Sequence, residues 1–151
     1  MPIVHSTSFG PVPYEPQAVI EFPRGLPGFD DRRRFVAVRF PESDPVILLQ
    51  SLENPELCFI TLPVLAVDPE YRLEISAEDL ASIGLPPVHR PKIGEDVLCL
   101  AVVAIRESAS TANLLAPVVV NLQNRKAVQA VAPASGYSHR YALRRRAAVC
   151  S

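Results

Sequence analysis

Three histidines, three cysteines and three adjacent acid pairs are the residues of this chain best suited to chemistry. His5, His89 and His139 have no cysteine, histidine or carboxylate at a metal-ligand spacing, so no metal site is predicted. The pairs Asp30-Asp31, Glu78-Asp79 and Glu95-Asp96 each fall in a turn or at a helix start. Adjacent acids in such places read as solvated turn residues rather than an acid/base couple. Cys58 and Cys99 lie within apolar runs and read as small core residues; Cys99 has no base nearby in sequence to activate it. Cys150 reads as an exposed thiol near the C-terminus. An odd number of widely spaced cysteines suggests no disulfide framework, and a reducing, cytoplasmic setting is expected. No nucleophile elbow, Walker A loop or dinucleotide fingerprint occurs, and neither an enzyme nor a cofactor is expected.

Two glycines in Gly25-Leu26-Pro27-Gly28 lack the lysine and following helix that cradle phosphate. They read as a tight turn needing positive φ, or as an exposed loop in which Leu26 and Phe29 make a small apolar contact patch. A basic stretch, His139, Arg140 and Arg144 to Arg146, is interleaved with Tyr137 and Tyr141. It reads first as a solvated tail, next as a site for an acidic partner, and last as an RNA contact. Gln50, Ser51, Asn113, Asn121 and Gln129 are polar residues at or inside apolar runs. They either satisfy loop backbone or line a shared contact surface.

The elements that must position these residues are short. Sixteen prolines among 151 residues are about twice the usual share and argue against long helices. At 48% apolar and 21% charged, the composition is that of an ordinary folded domain and excludes a mostly disordered chain. The longest apolar run, 97–105, is too short to span a bilayer, and no signal peptide is expected. Residues 1–16 read as a loose, Pro-rich extended arm. Strands are predicted over 18–22, 35–40, 46–52, 57–62, 97–105, 114–122 and 127–132, with a last strand or ordered tail over 137–143. In 35–40 the set Val36, Val38 and Phe40 is placed toward the core. Pro117 predicts an edge or a bulge in its strand. One short helix is predicted at about residues 76–84, started by Ser76 with Asp79 three residues on and stopped at Gly84. These elements predict an all-β fold, a small barrel-like or sandwich domain of short antiparallel strands. The expected organisation is an arm over 1–16, a β domain over 17–143 and a basic tail over 144–151.

Charge is unevenly distributed along the chain. All sixteen acids lie at or before Glu107; with nine basic groups there, residues 1–107 carry −7, and residues 108–151 carry six basic groups and no acid. The two regions either neutralise each other across the fold or present opposite faces to two partners.

These residues carry a family resemblance. Ile20 and Phe22 precede Gly25-Leu26-Pro27-Gly28-Phe29 and then Asp30. Leu49-Gln50-Ser51, Phe59 and Tyr71 follow, then Asn113 to Asn121 as NLLAPVVVN, and finally Gln129, Tyr137, Arg140, Tyr141 and Leu143. The set resembles the FliW family of bacterial flagellar assembly factors over residues 18–143. Ala127 stands where the pattern leads one to expect glycine, and residues 1–16 and the arginine run lie outside the motif. The resemblance implies a barrel-like binding protein without catalysis. Its implied partners are flagellin and CsrA, a small dimeric RNA-binding regulator whose repression of flagellin translation the family relieves. No membrane and no direct nucleic-acid contact are implied. Candidate contact residues are Gly25, Leu26, Pro27, Gly28, Phe29, Gln50, Ser51, Asn113 and Asn121. The acid-rich region 15–107 is a natural face for basic CsrA. Competing readings are a flagellin-only chaperone and a small-ligand β-barrel in which Gln50, Ser51, Asn113 and Asn121 converge.

Overall fold

Short runs rich in β-branched and aliphatic residues form the strands of the computed structural model. The structure describes residues 1–29, 31–87, 90–107 and 109–143. Among them are eleven strands: β1 (Ile3–Ser6), β2 (Gly10–Pro13), β3 (Ile20–Glu21), β4 (Arg34–Val38), β5 (Ile47–Ser51), β6 (Cys58–Pro63), β7 (Val97–Ile105), β8 (Ser110–Ala112), β9 (Val118–Asn121), β10 (Ala127–Gln129) and β11 (Tyr141–Ala142). Two short helices are α1 (Val64–Val67) and α2 (Ala77–Ser82). No helix among the described residues is long and apolar enough to cross a membrane. His89 and the basic stretch from Arg144, with Cys150, lie outside the described residues, as does Asp30.

The main sheet runs β10-β9-β7-β6-β5-β4-β3, and every neighbouring pair is antiparallel. It curls until its two edges touch: Glu21 bridges Lys126, with the Glu21 N–H donating to the Arg125 carbonyl at 3.0 Å. That contact is one bridge and not a ladder, so the fold is sandwich-like rather than a closed barrel, within the all-β class predicted. Between the curled layers sits an interior of Ile20, Phe22, Phe35, Leu49, Leu100 and Val118. Phe22 and Phe35 are fully buried with rings edge to face at 5.5 Å. Each burial is worth about 2–3 kcal/mol, so these two rings contribute a large part of the interior's cohesion.

The sheet's outer faces are covered too. Val97, Cys99, Ala101 and Val119 pack under α2's end, α1 and the Tyr71 segment. Val36, Val38 and Leu48 pack against the N-terminal residues. Here the structure departs from the expected loose arm: β1 and β2 pair as a hairpin, Val4 opposite Val12, and Val4 and Ser6 are buried. The prolines of β2 sit on an edge strand, where a missing N–H costs no ladder bond. This cover explains why β4 buries Phe35 as well as Val36 and Val38: one set faces the interior, the other the hairpin.

The predicted helix is present. Ser76 Oγ accepts from the Asp79 N–H at 3.0 Å, and Gly84 follows at φ +79°. The Asp79 carboxylate does not close a capping box; it pairs with Arg24. Pro117 precedes β9 rather than interrupting it, so β9 occupies a central position. Of 137–143, only Tyr141–Ala142 is strand, paired to β8.

Candidate functional site

The glycine-rich loop follows from backbone geometry. After β3, the Gly25 N–H donates to Phe22 at 2.9 Å and the Phe29 N–H to Leu26 at 2.8 Å, closing two successive turns. Gly25 and Gly28 hold φ of 69° and 83°, which only glycine adopts freely. Around Gly28 the space for a side chain is open, so its requirement is conformational and not steric. The two apolar residues flanking the turn part company. Leu26 is buried in the interior, while Phe29 is 39% exposed and sets its ring edge on Phe59 at 5.6 Å.

Beside this loop the sheet opens. The β6–β7 ladder ends at Thr61 opposite Val102, although β6 begins at Cys58 and β7 runs to Ile105. Beyond that point β6 pairs only with β5, and β7 only with β8, among the described residues. At this mouth of the interior lies a cleft of about 280 Å³. Its floor is Leu26, Phe29, Leu49, Phe59, Val102 and Val118. Its rim is Arg106, Thr111, Asn113, Gln129, His139 and Arg140, with Pro27 and Ala104 completing the wall. Strand alternation puts Val102, Ala104 and Arg106 on one face, and β8 sets Thr111 directly across from Ala104.

Among the described residues, no aspartate or glutamate lines the cleft. Asn113 spends its side-chain oxygen on the N–H groups of Leu115 and Ala116, at 3.1 and 2.9 Å, which orders the β8–β9 connection. Its Nδ2 has no partner among the described residues. Gln129 donates to the Ala116 carbonyl at 3.0 Å. Arg106 and Arg140 have no ion-pair partner among the described residues. The ion pairs formed among the described residues, such as Arg24 with Glu78 and Asp79, lie within residues 1–107. Contact ion pairs therefore do not neutralise the basic C-terminal region against the acidic remainder among these residues.

Of the nine candidate contact residues, the structure brings Leu26, Pro27, Phe29 and Asn113 to this cleft, with Gly25 and Gly28 shaping the loop. Gln50, Ser51 and Asn121 lie elsewhere, so the four polar residues of the small-ligand reading do not converge. Gln50 is fully buried; its Nε2 faces the carbonyls of Ser51, Asn54, Pro55 and Leu57, and its Oε1 accepts from Ser6 Oγ at 2.8 Å. Ser51 Oγ accepts from the N–H groups of Glu53 and Asn54, ordering the turn into β6. Asn121 donates to the Ile83 carbonyl at 2.8 Å and fastens the end of α2 to β9. Arg106, Thr111, Phe59 and Ala104 were absent from the candidates. The available signal was an arginine two residues beyond Ala104, in phase with Val102, at the end of an apolar strand.

The remaining reactive groups are held inert. Burial pushes the Cys99 thiol up to about 12 and raises that of Cys58, so neither is a thiolate at neutral pH. Burial, then the charges of Cys99, Tyr137 and Glu74, raise the Tyr71 hydroxyl, which donates to the Leu114 carbonyl at 2.8 Å. Among the described residues no cluster of His, Cys, Asp or Glu could hold a metal ion. What the arrangement can do is grip: an apolar floor, a donor-rich rim and unpaired strand edges.

Comparison with known proteins finds similarity along almost the whole of the described chain. The family model described as "FliW protein" matches residues 3–143, wider than the 18–143 read from the motifs and including the N-terminal hairpin. The flagellar assembly factor FliW of Syntrophomonas wolfei subsp. wolfei is 31% identical over 140 residues, covering 91% of this chain and 86% of that protein. That of Heliobacterium modesticaldum is 31% identical over 140 residues, covering 93% and 89%. A solved structure titled "Crystal structure of the flagellar assembly factor FliW" superposes with a TM-score of 0.81 at 24% identity, covering 95% of this chain and 98% of that one.

Proposed function

The chain belongs to the FliW family, and from that premise we propose that it is a cytoplasmic, non-enzymatic flagellar assembly factor that binds flagellin and CsrA. The observation that carries this reading is the convergence of separate family motifs, Leu26 to Phe29, Asn113, Gln129 and Arg140, on one open cleft. Residues that meet on an open surface, apolar at the floor and polar at the rim, are suited to holding a partner. Competition supplies the regulation. Newly made flagellin occupies the protein and leaves CsrA free to repress flagellin translation. Secretion of flagellin releases the protein to bind CsrA, and whichever partner is in excess sets the free concentration of the other.

The test is calorimetric titration of the full chain with flagellin and with CsrA from the same organism, separately and in competition. Binding of both, with one displacing the other, is the expected result. Binding of flagellin alone would leave a chaperone role and remove the translational one. Binding of neither would overturn the reading. The acid surplus of residues 1–107 further supports a CsrA affinity that falls as salt rises.

A further inference from the structure

The cleft has a chemical preference of its own. Its volume of about 280 Å³ lies just under the roughly 300–1,000 Å³ typical of small-molecule pockets. It therefore suits an anchoring side chain of a larger partner better than a whole small ligand. Leu26, Leu49, Phe59 and Val118 make that anchor position apolar. Around it, Arg106, Arg140 and the Asn113 amide nitrogen offer donors with no partner among the described residues, and none of the described lining residues is a carboxylate. Beyond the Thr61–Val102 pair, the facing backbone edges of β6 and β7 have no ladder partner among the described residues, as an extended chain requires for strand addition.

We propose that this cleft docks an extended segment of a partner protein in which a large apolar residue stands next to an acidic one. The apolar side chain fills the floor, and its neighbour's carboxylate meets Arg106 and Arg140 at the rim. Guanidinium–carboxylate pairing there adds orientation and selectivity to an anchor that burial alone would leave promiscuous. The inference rests on the reading of the chain as a binding protein and says what the site selects.

The experiment is selection of a random peptide display library on the immobilised full chain, with recovered peptides measured by fluorescence polarisation. Recovered peptides are expected to pair Leu, Ile, Met or Phe with Asp or Glu within two positions. Affinity is expected to fall about tenfold or more in Ala104→Trp, which fills the cleft, and in Arg106→Glu with Arg140→Glu, which reverses the rim. Ala104 lies exposed on β7, so the added ring need not disturb the interior; Phe29→Ala serves as a second variant if Ala104→Trp does not melt as the wild type does. No enrichment, enrichment without acids, or undiminished binding to the folded variants overturns the proposal. Flagellin or CsrA binding that is untouched by Ala104→Trp would also remove it while leaving the proposed function standing. Failure of both proteins to bind the wild type would instead remove the function and leave the peptide result to be judged separately.

Discussion

Replacing Gln50 should cost stability far beyond what a surface contact residue would. Its Nε2 lies 3.1 Å from the Ser51 carbonyl, 3.2 Å from Leu57, 3.3 Å from Pro55 and 3.4 Å from Asn54. Two N–H groups cannot fully serve four acceptors, so these contacts amount to about two shared hydrogen bonds. The Ser6 Oγ–Oε1 bond makes a third and ties the N-terminal hairpin to β5 across 44 residues of sequence. At about 1 kcal/mol each, with a further cost of about 1–3 kcal/mol for polar groups stranded in a closed site, Gln50→Ala should lose about 4–6 kcal/mol. A domain of this length has a total of roughly 8–15 kcal/mol, so the loss is a large fraction of it. Gln50→Glu probes the donors specifically. Its carboxylate would face four carbonyl oxygens, whereas its protonated form regains one donor. Its folded-state pKa would rise above the unfolded value of about 4.3, so the penalty grows with pH above that value, by up to about 1.4 kcal/mol per unit. The chain has no tryptophan, so urea unfolding is best followed by far-ultraviolet circular dichroism, comparing variant and wild type at pH 5 and pH 7. A Gln50→Ala loss under about 1 kcal/mol, or a Gln50→Glu penalty equal at both pH values, would refute the argument.

Two further outcomes follow, one from a close approach and one from a buried thiol. At Gly84, φ is +79° and an added Cβ would lie 2.8 Å from Asn124 Nδ2, which itself donates to the Ile83 carbonyl. Gly84→Ala should therefore cost about 1–3 kcal/mol, seen as a Tm lower by about 2–4 °C per kcal/mol, and an unchanged Tm would contradict the close approach. For Cys99, burial raises the thiol from 9.0 to about 12, so the folded state holds its proton longer than the unfolded chain. Its contribution to stability is complete below pH 9 and is lost as pH rises toward 12. Mass spectrometry after alkylation at pH 8 should find Cys99 unmodified in the native protein and modified in urea, and a shallower alkaline loss of stability in Cys99→Ala should match.

The parts of this fold legible in the sequence are those set by neighbours. Helix α2 is announced by Ser76, whose hydroxyl reaches only to Asp79, and is closed by Gly84. The apolar, β-branched runs of β4 to β7 identify strands, but their burial does not alternate; β5 is buried along its whole length because both faces of the sheet are covered. Local signals failed at the N-terminal hairpin: four residues per strand, with Pro11 and Pro13 in one of them, carry too little periodicity. What makes that hairpin part of the fold is distant, Val4 against Val36, Val38 and Leu48, and Ser6 against Gln50. The candidate site divides the same way. Sequence marks Leu26 and Phe29 as equal flanks of a glycine turn; packing buries Leu26 where the cleft meets the interior and leaves Phe29 part-exposed in the cleft. Sequence marks Gln50 and Asn113 as similar polar interruptions; the tertiary structure closes the first inside a ring of carbonyls and leaves the second's Nδ2 at the rim with no partner among the described residues. Turns and caps are decided within about four residues of chain. The cleft instead depends on where β7 leaves β6 and on which loop reaches that opening, and only the folded sheet sets those distances.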